Sequence, residues 1–154
     1  VYPELLRYSQ FRDQLETIAL QVLYIQLGAA YADFSIGPFQ MKPSFVARLD
    51  ALKETAVNRE KRIAALTTTA GQFEYLHRFL SVMDKRCVNM RWSSAADKLR
   101  FYAAAYNAGF HRSTEDIKTL AGRERFKLSE WSKRSYSYSE LALTFYQQES
   151  QAGN

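Results

Sequence analysis

The sequence predicts a mainly α-helical fold. Glycine and proline are sparse, with 6 and 3 copies in 154 residues, so few positions must interrupt a helix. Apolar residues recur at three- and four-residue steps through most of the chain, which is the spacing of one helix face. A length of 154 residues suits one hydrophobic core, and we therefore predict a single domain over residues 1–154.

In the first half of the chain, we predict three helices and one ordered loop. The first helix covers about residues 3–25 and ends before Gly28. Residues 29–40 then form a loop or a small hairpin, and helices follow over about residues 43–54 and 58–66. The buried stripe predicted for the first helix consists of Tyr8, Phe11, Leu15, Ile18, Val22 and Ile25.

In the second half, cap residues mark the helix boundaries. Ser93 or Ser94 can cap a helix that runs to residue 108, and Gly109 suits the left-handed position after its end. Ser113 and Asp116 have the spacing of a capping box. Four helices are predicted here. Three of them cover about residues 72–85, 94–108 and 114–122, and the fourth begins near Ser137 or Ser139. The residues predicted to face inward from the first of these are Phe73, Leu76, Leu80 and Met83.

Composition and charge narrow the classes of function. The net charge of +5 favours an anionic partner, but the basic residues are scattered and no nucleic-acid-binding motif is present, so we expect no nucleic-acid partner. No apolar stretch is long enough to span a membrane. With one cysteine, Cys87, and two histidines, the sequence predicts no internal disulfide, no metal site and no cofactor.

Two segments could carry chemistry. The segment from Asp33 to Pro43 combines apolar, polar and turn-forming residues, as in a rigid loop that builds a site, although from the residues alone a connector between helices explains it slightly better. In residues 101–109, Tyr102 and Tyr106 share one helix face and Asn107 lies near the helix end. This segment is either a tightly packed core helix or one wall of a cleft.

Both segments resemble motifs of one enzyme family. Ala105-Tyr106-Asn107-Ala108-Gly109 resembles the AYNAG motif of lytic transglycosylases, which belong to the lysozyme-like superfamily with the goose-type lysozymes. Ser35-Ile36-Gly37-Pro38-Phe39-Gln40-Met41 resembles the G-L-M-Q segment of the same enzymes, with Gly37 and Gln40 in register. The two motifs also follow each other in the family's order and with a similar separation.

The resemblance implies a lysozyme-like helical domain that cleaves the glycan strands of peptidoglycan. It further implies that the protein is exported to the periplasm or cell envelope, although no signal sequence is present in this chain, and we expect a monomer. By this resemblance, the substrate-binding residues are Ser35, Gln40, Met41, Tyr106 and Asn107.

The family's catalytic glutamate, usually followed by serine, has no counterpart at the usual distance before Gly37. Among the upstream acids, we favour Glu4 as the general acid, because it continues the predicted stripe four residues before Tyr8 and an aromatic interior would raise its pKa. The alternative is that Glu4 only complements the dipole of a helix N-terminus, which lowers the pKa. Glu16 is the second choice for the acid.

Asp33 is the predicted second carboxylate, which in a hydrolase would position water or stabilise charge on the sugar. In lytic transglycosylases one glutamate suffices, and the muramyl 6-hydroxyl attacks to give a 1,6-anhydro product. We therefore expect a lytic transglycosylase rather than a hydrolytic lysozyme. The competing hypotheses are a non-catalytic glycan-binding or scaffold module, which the missing Glu-Ser pair favours, and a helical protein-interaction domain.

Overall fold

The computed structural model describes the backbone of residues 3–123 and 137–152, and the side chains of residues 13–121, 137 and 139–148. Within these residues the fold is mainly α, as the sequence predicts, with seven helices and one isolated β-bridge. No described helix is long and apolar enough to cross a membrane. The helices are α1 Pro3–Leu27, α2 Pro43–Asp50, α3 Ala56–Leu66, α4 Thr69–Arg86, α5 Ala95–Ala108, α6 Thr114–Arg123 and α7 Tyr138–Ala152.

The chain divides into two compact units, Val1–Arg78 and Phe79–Asn154, and the boundary falls within α4. Helices α1 to α3 belong to the first unit and α5 to α7 belong to the second. The prediction of one domain over residues 1–154 stays a prediction.

In the first unit, turn and cap residues set the helix ends. Gly28 follows α1 with a φ of +90°, and Pro43 begins α2 at a position where its missing N–H costs nothing. Thr55 caps α3 because its side-chain oxygen accepts a hydrogen bond from the backbone N–H of Asn58. The apolar residues buried in this unit are Tyr24, Ala32, Ile36, Met41, Val46, Ile63, Leu66 and Tyr75.

In the second unit, the predicted serine caps are confirmed. Ser94 accepts a hydrogen bond from the N–H of Asp97 at the start of α5, and Ser113 accepts one from the N–H of Asp116 at the start of α6. Gly109 has the predicted positive φ of +107°, but its ψ of 113° places it outside the left-handed helical region. The buried apolar residues are Phe79, Met83, Cys87, Phe101, Tyr102, Ala104, Ala105, Phe110, Ile117 and Leu143.

The stripe predicted for α1 is wrong over its described part. Leu15, Ile18 and Val22 are at least half exposed, whereas Tyr24 is fully buried and Ile25 is half-buried. The reason is that polar contacts fix the rotation of the last turns of α1, because Arg62 donates a hydrogen bond to the hydroxyl of Tyr24. The tyrosine therefore takes the buried position that the apolar spacing assigned to its neighbours. Tyr8 and Phe11 lie outside the described side chains.

The inward face of α4 is also shifted from the prediction. Met83 is buried as predicted, but Phe73 and Leu80 are exposed. The buried positions are instead taken by Gln72, Tyr75 and Phe79, because the polar ends of the first two find hydrogen-bond partners inside the first unit. Helix α2 is shorter than predicted and ends at Asp50, since Ala51 adopts the left-handed conformation that stops it.

Candidate functional site

The segment that resembles the family's G-L-M-Q motif forms a tight turn in the first unit. Ile36 and Met41 form the isolated antiparallel bridge, with N–H to carbonyl distances of 2.9 Å and 3.2 Å in the two directions. The N–H of Gln40 donates to the carbonyl of Gly37 at 3.0 Å and closes the turn. The small hairpin that the sequence allowed is thus reduced to one bridge around residues 37–40.

A buried amide holds this turn in place. The side chain of Gln72, which is 1% exposed, donates through Nε2 to the carbonyl of Leu66 at 2.6 Å and accepts through Oε1 from the N–H of Phe39 at 3.0 Å. Gly37 has a φ of +68°, and a Cβ added there would lie 1.6 Å from the same Nε2. Only glycine fits this position, because both ends of the amide are already fixed.

Gln40 adopts a strained backbone conformation at the end of the turn. Its φ is +51°, in the left-handed region that costs a residue with a Cβ about 1–3 kcal/mol. Its exposed side chain donates through Nε2 to the carbonyl of Gly37 at 2.8 Å. The turn therefore presents a polar amide to solvent in a fixed position, which is the property required of a preorganised binding group.

Asp33 fixes the start of α2. One carboxylate oxygen accepts from the N–H of Ser44 at 3.0 Å and the other from the Ser44 hydroxyl at 2.8 Å, while Lys42 Nζ is 4.0 Å away. This is the arrangement of a carboxylate at a helix N-terminus, where free N–H groups favour negative charge. Ser35 is exposed beside the turn. The catalytic role of Asp33 and the substrate contact of Ser35 stay predictions.

Met41 faces the interior of the first unit rather than solvent. It is 1% exposed, so its side chain packs in the core beneath the turn and does not reach solvent. Its predicted contact with substrate stays a prediction, and of the substrate-binding residues predicted in this unit, Ser35 and Gln40 are the ones with exposed side chains.

The segment that resembles AYNAG forms the last turns of α5 in the second unit. The ring of Tyr106 packs edge-on against Phe79 at a centroid distance of 5.4 Å, and burial raises the pKa of Tyr106 to about 12. The hydroxyl is therefore a neutral hydrogen-bonding group at physiological pH. Asn107 is exposed at the helix end, and the imidazole of His111 lies against Gly109. The substrate contacts of Tyr106 and Asn107 stay predictions.

The most buried charge in the described chain is Arg62 of α3, which is 0% exposed. Its guanidinium donates to both oxygens of Asp50 at 2.8 Å and 2.9 Å, to Glu54 and to the carbonyl of Leu52. Burial alone would raise the pKa of Asp50, but the hydrogen bonds from Arg62 and the Leu52 N–H outweigh it and lower the pKa.

A smaller charged cluster lies in the second unit. Asp84 accepts hydrogen bonds from Lys98 at 2.8 Å and from the hydroxyl of Tyr102 at 2.7 Å. The bond from Lys98 is the main cause of the lowered pKa of Asp84. A lowered pKa keeps a carboxylate ionised, which is the wrong direction for a general acid. Neither Asp50 nor Asp84 is therefore a candidate for that role.

The predicted acid Glu4 lies in the first turns of α1, but its side chain is outside the described residues. Glu16, the second choice, is exposed. The sequence predicts that Glu4 faces inward because it continues the apolar stripe of α1. Since Leu15, Ile18 and Val22 of that stripe are exposed, the stripe does not support an inward orientation of Glu4. The role of Glu4 stays a prediction and no longer rests on helical register.

Two residues that organise the first unit, Gln72 and Arg62, were not predicted from the sequence. A signal existed for each of them. Gln72 falls four residues before Leu76 in an otherwise apolar helix face, and Arg62 lies next to Ile63 with two acids, Asp50 and Glu54, within twelve residues. A polar residue at a core position needs partners, and both of those acids lie close enough in the sequence to supply them.

No group of three histidine, cysteine, aspartate or glutamate side chains that could hold a metal ion occurs among the described residues. Comparisons with protein-family models, curated proteins and solved structures find no match to this chain.

Proposed function

We propose that the protein cleaves the glycan strands of peptidoglycan by a lytic-transglycosylase-type reaction, as part of a lysozyme-like enzyme in the cell envelope. The observation that carries the proposal is the turn at residues 36–41. There a glycine without room for a Cβ and a strained glutamine occur at the two positions that match the family motif. Backbone strain that the surrounding structure maintains is characteristic of functional sites.

The second motif adds support from the other unit. The last turn of α5 presents the amide of Asn107 to solvent, next to a tyrosine whose hydroxyl stays protonated at physiological pH. Amide and phenol groups recognise sugar hydroxyls and N-acetyl groups because they can both donate and accept hydrogen bonds. The net charge of +5 favours association with an anionic wall polymer.

In the proposed reaction, Glu4 is the general acid. Its carboxyl transfers a proton to the glycosidic oxygen as the bond to the muramyl C1 breaks. The resulting carboxylate then accepts the proton of the muramyl 6-hydroxyl, whose oxygen bonds to C1 and forms the 1,6-anhydro ring. The proton lent to the leaving group is thereby regained, and no water is consumed.

The test is the digestion of purified sacculi by the parent protein and by Glu4→Gln. The substitution keeps the size of the side chain but removes the transferable proton, so the rate should fall by about 10²- to 10⁴-fold. Glu16→Gln is the matched control on the same helix and should digest at the parental rate, and circular dichroism should show equal folding for all three. Digestion by Glu4→Gln at the parental rate would contradict the assignment of the acid and make Asp33 the next residue to test.

A specific observation favours the second candidate function, a non-catalytic glycan-binding module. Both carboxylate oxygens of Asp33 are engaged by Ser44, and Asp50 is paired with Arg62, so these acids of the first unit already serve its structure. The product analysis separates the candidates. Anhydro-muropeptides support the transglycosylase and new reducing ends indicate a hydrolytic lysozyme. Retention on sacculi without either product identifies the module.

A further inference from the structure

The second unit contains a cavity of about 530 Å³ that neither motif explains. It is bounded by the loop between α4 and α5, the first turns of α5, and residues of α6 and α7. None of its lining residues belongs to residues 105–109, and the lining residue of α5 nearest to Asn107 is Phe101, which precedes it by six residues or about 9 Å along the helix axis. The cavity is therefore separate from the helix end that resembles AYNAG, and its volume is in the range of small-molecule sites.

The wall of this cavity combines an aromatic ring with charged groups of both signs. Trp92 is half-buried and packs on Phe101 at a centroid distance of 5.3 Å, so the ring is held in place while part of it remains accessible. The charged lining residues are three basic and two acidic side chains, a net excess of one positive charge. These residues are Arg91, Arg100, Lys118, Asp97 and Glu140.

The central arginine of this cavity is incompletely bonded. Arg100 Nη1 lies 3.6 Å from a carboxylate oxygen of Asp97 and Arg100 Nε lies 3.6 Å from one of Glu140, so both ion pairs are just too long for a hydrogen bond. Its Nε atom is buried and has no hydrogen-bond partner within the part of the chain that the structure describes. A buried N–H of a cation without an acceptor is costly, so a ligand that supplies an acceptor oxygen would be bound favourably.

Arg91 adds a second positive group at the rim. It is exposed and forms no ion pair with any described residue. An aromatic face packs on the C–H surface of a sugar ring, the carboxylates of Asp97 and Glu140 can accept from hydroxyls, and guanidinium groups bind a carboxylate by paired hydrogen bonds. The excess positive charge then selects a sugar that itself carries a carboxylate over a neutral one.

We propose that this cavity is a second glycan-binding site, which takes a carboxylate-bearing amino sugar with the ring on Trp92 and the carboxylate on Arg100 and Arg91. The choice of this sugar class rests on the proposed function, because N-acetylmuramic acid is a sugar of the wall that has a free lactyl carboxylate wherever its stem peptide has been removed, and N-acetylglucosamine has no such group. The two sugars therefore form a matched pair of probes that differ in that group.

The experiment follows the two tryptophan indole N–H signals of the ¹⁵N-labelled protein during titration with each free sugar. The variant Trp92→Phe keeps an aromatic ring but loses one signal, which assigns Trp92. N-acetylmuramic acid should shift the Trp92 signal, and N-acetylglucosamine, which lacks the group that contacts both arginines, should bind about 100-fold more weakly, the loss expected for two charge-assisted hydrogen bonds. No shift with either sugar, or equal affinity for both, would overturn the proposal.

Two variants test the geometry. Arg100→Lys keeps the charge but removes the Nε–H, and Arg91→Met removes the rim charge, so each should weaken N-acetylmuramic acid binding by about tenfold. Lys85→Met removes an exposed charge of the same unit outside the cavity and should leave the affinity unchanged. Parental affinity in Arg100→Lys would contradict the role of the unpartnered N–H. Because binding of a free sugar needs no bond cleavage, this result is independent of whether the protein digests sacculi.

Discussion

Arg62 in the first unit and Arg100 in the second show two uses of the same side chain. Arg62 is fully buried, and its three guanidinium nitrogens donate to carboxylates, a carbonyl and a tyrosine hydroxyl. Arg100 is 38% exposed, and its two neighbouring carboxylates both lie at 3.6 Å. A guanidinium whose N–H groups are all bonded within the protein needs no acceptor from a ligand, whereas one with an unbonded N–H group does. The comparison therefore assigns Arg62 to the stability of the fold and Arg100 to binding.

The largest expected effect is on stability, from the loss of Arg62. Arg62→Met removes the guanidinium but keeps an unbranched apolar chain, and it leaves the buried carboxylate of Asp50 without its partner, so unfolding free energy should fall by about 3–5 kcal/mol. Arg100→Met should change it by less than about 1 kcal/mol, since the side chain is partly exposed and its pairs are loose. Urea denaturation of both variants measures this difference.

Equal losses of stability in Arg62→Met and Arg100→Met would contradict the different roles assigned to the two arginines. A loss of several kcal/mol in Arg100→Met would mean that its aliphatic stem or its charge supports the packing of α5, and the unpartnered Nε would then be a tolerated cost. Near-neutral behaviour of Arg62→Met would mean that Asp50 and Glu54 are adequately solvated without the arginine.

A second prediction concerns the response to acid. Asp50 has a pKa below its ordinary value of 3.8 in the folded protein, so the ion pair contributes stability that is present above that value and is lost as the pH falls through the folded pKa. Over that window stability should decline by up to about 1.4 kcal/mol per pH unit for this group. Unfolding free energies measured between pH 5 and pH 2, as set in the buffers, give the slope.

The slope of unfolding free energy against pH also distinguishes the region of Arg62 from the region of Arg100. Arg62→Met removes the hydrogen bonds that lower the pKa of Asp50, and burial, which acts in the opposite direction, then dominates. The acid-dependent loss should therefore shrink or reverse in that variant. Arg100→Met leaves Asp50 and Arg62 paired and should keep the parental slope, so an equally reduced slope in both variants would assign it to general surface charge.

The helices and their starts could be predicted from the sequence because the interactions that decide them are local. Ser94 and Ser113 cap the N–H groups of residues three positions later, and Pro43 begins a helix where its geometry is already suitable. These contacts need no knowledge of the rest of the chain. The helices of the second unit accordingly begin close to where the sequence placed them.

The faces that the helices bury could not be predicted, because they depend on partners distant in sequence. Gln72 is buried because it reaches the backbone of Leu66 and Phe39, and Tyr24 is buried with Arg62, 38 residues away. A hydrophobicity scale treats arginine and glutamine as solvent-exposed residues. The hydrophobic pattern therefore predicts the wrong buried face for α1 and α4. Buried polar groups that are fully hydrogen-bonded are the cases in which such a scale fails.

For the candidate site, the sequence identified the two motifs but not what holds them. Gly37 and Gln40 were singled out by resemblance alone, and the structure gives the physical reason for the conformations of both in the amide of Gln72 and the bridge at Met41. The cavity around Arg100 left no sequence signal, because its lining comes from a loop and three helices that meet only after folding.

The smallest expected effect sharpens the assignment of Arg100 by testing the bond that joins α7 to it. Ser139 is 2% exposed, and its hydroxyl donates to the backbone carbonyl of Arg100 at 3.2 Å. Ser139→Ala should lower the unfolding free energy by about 1 kcal/mol, the net contribution of one such hydrogen bond. Thr144→Ala is the control on the same helix, because its hydroxyl donates to the backbone carbonyl of Glu140 in the preceding turn and alanine is the better helix former. That variant should be neutral or slightly stabilised. Because the Ser139 bond reaches Arg100 on α5, Ser139→Ala should also move the Trp92 indole signal, whereas the Thr144 bond stays within α7 and its loss should not. Equal stability of the two variants with an unmoved signal would mean that α7 is held against α5 by apolar packing alone, and that Arg100 owes its position to its own helix.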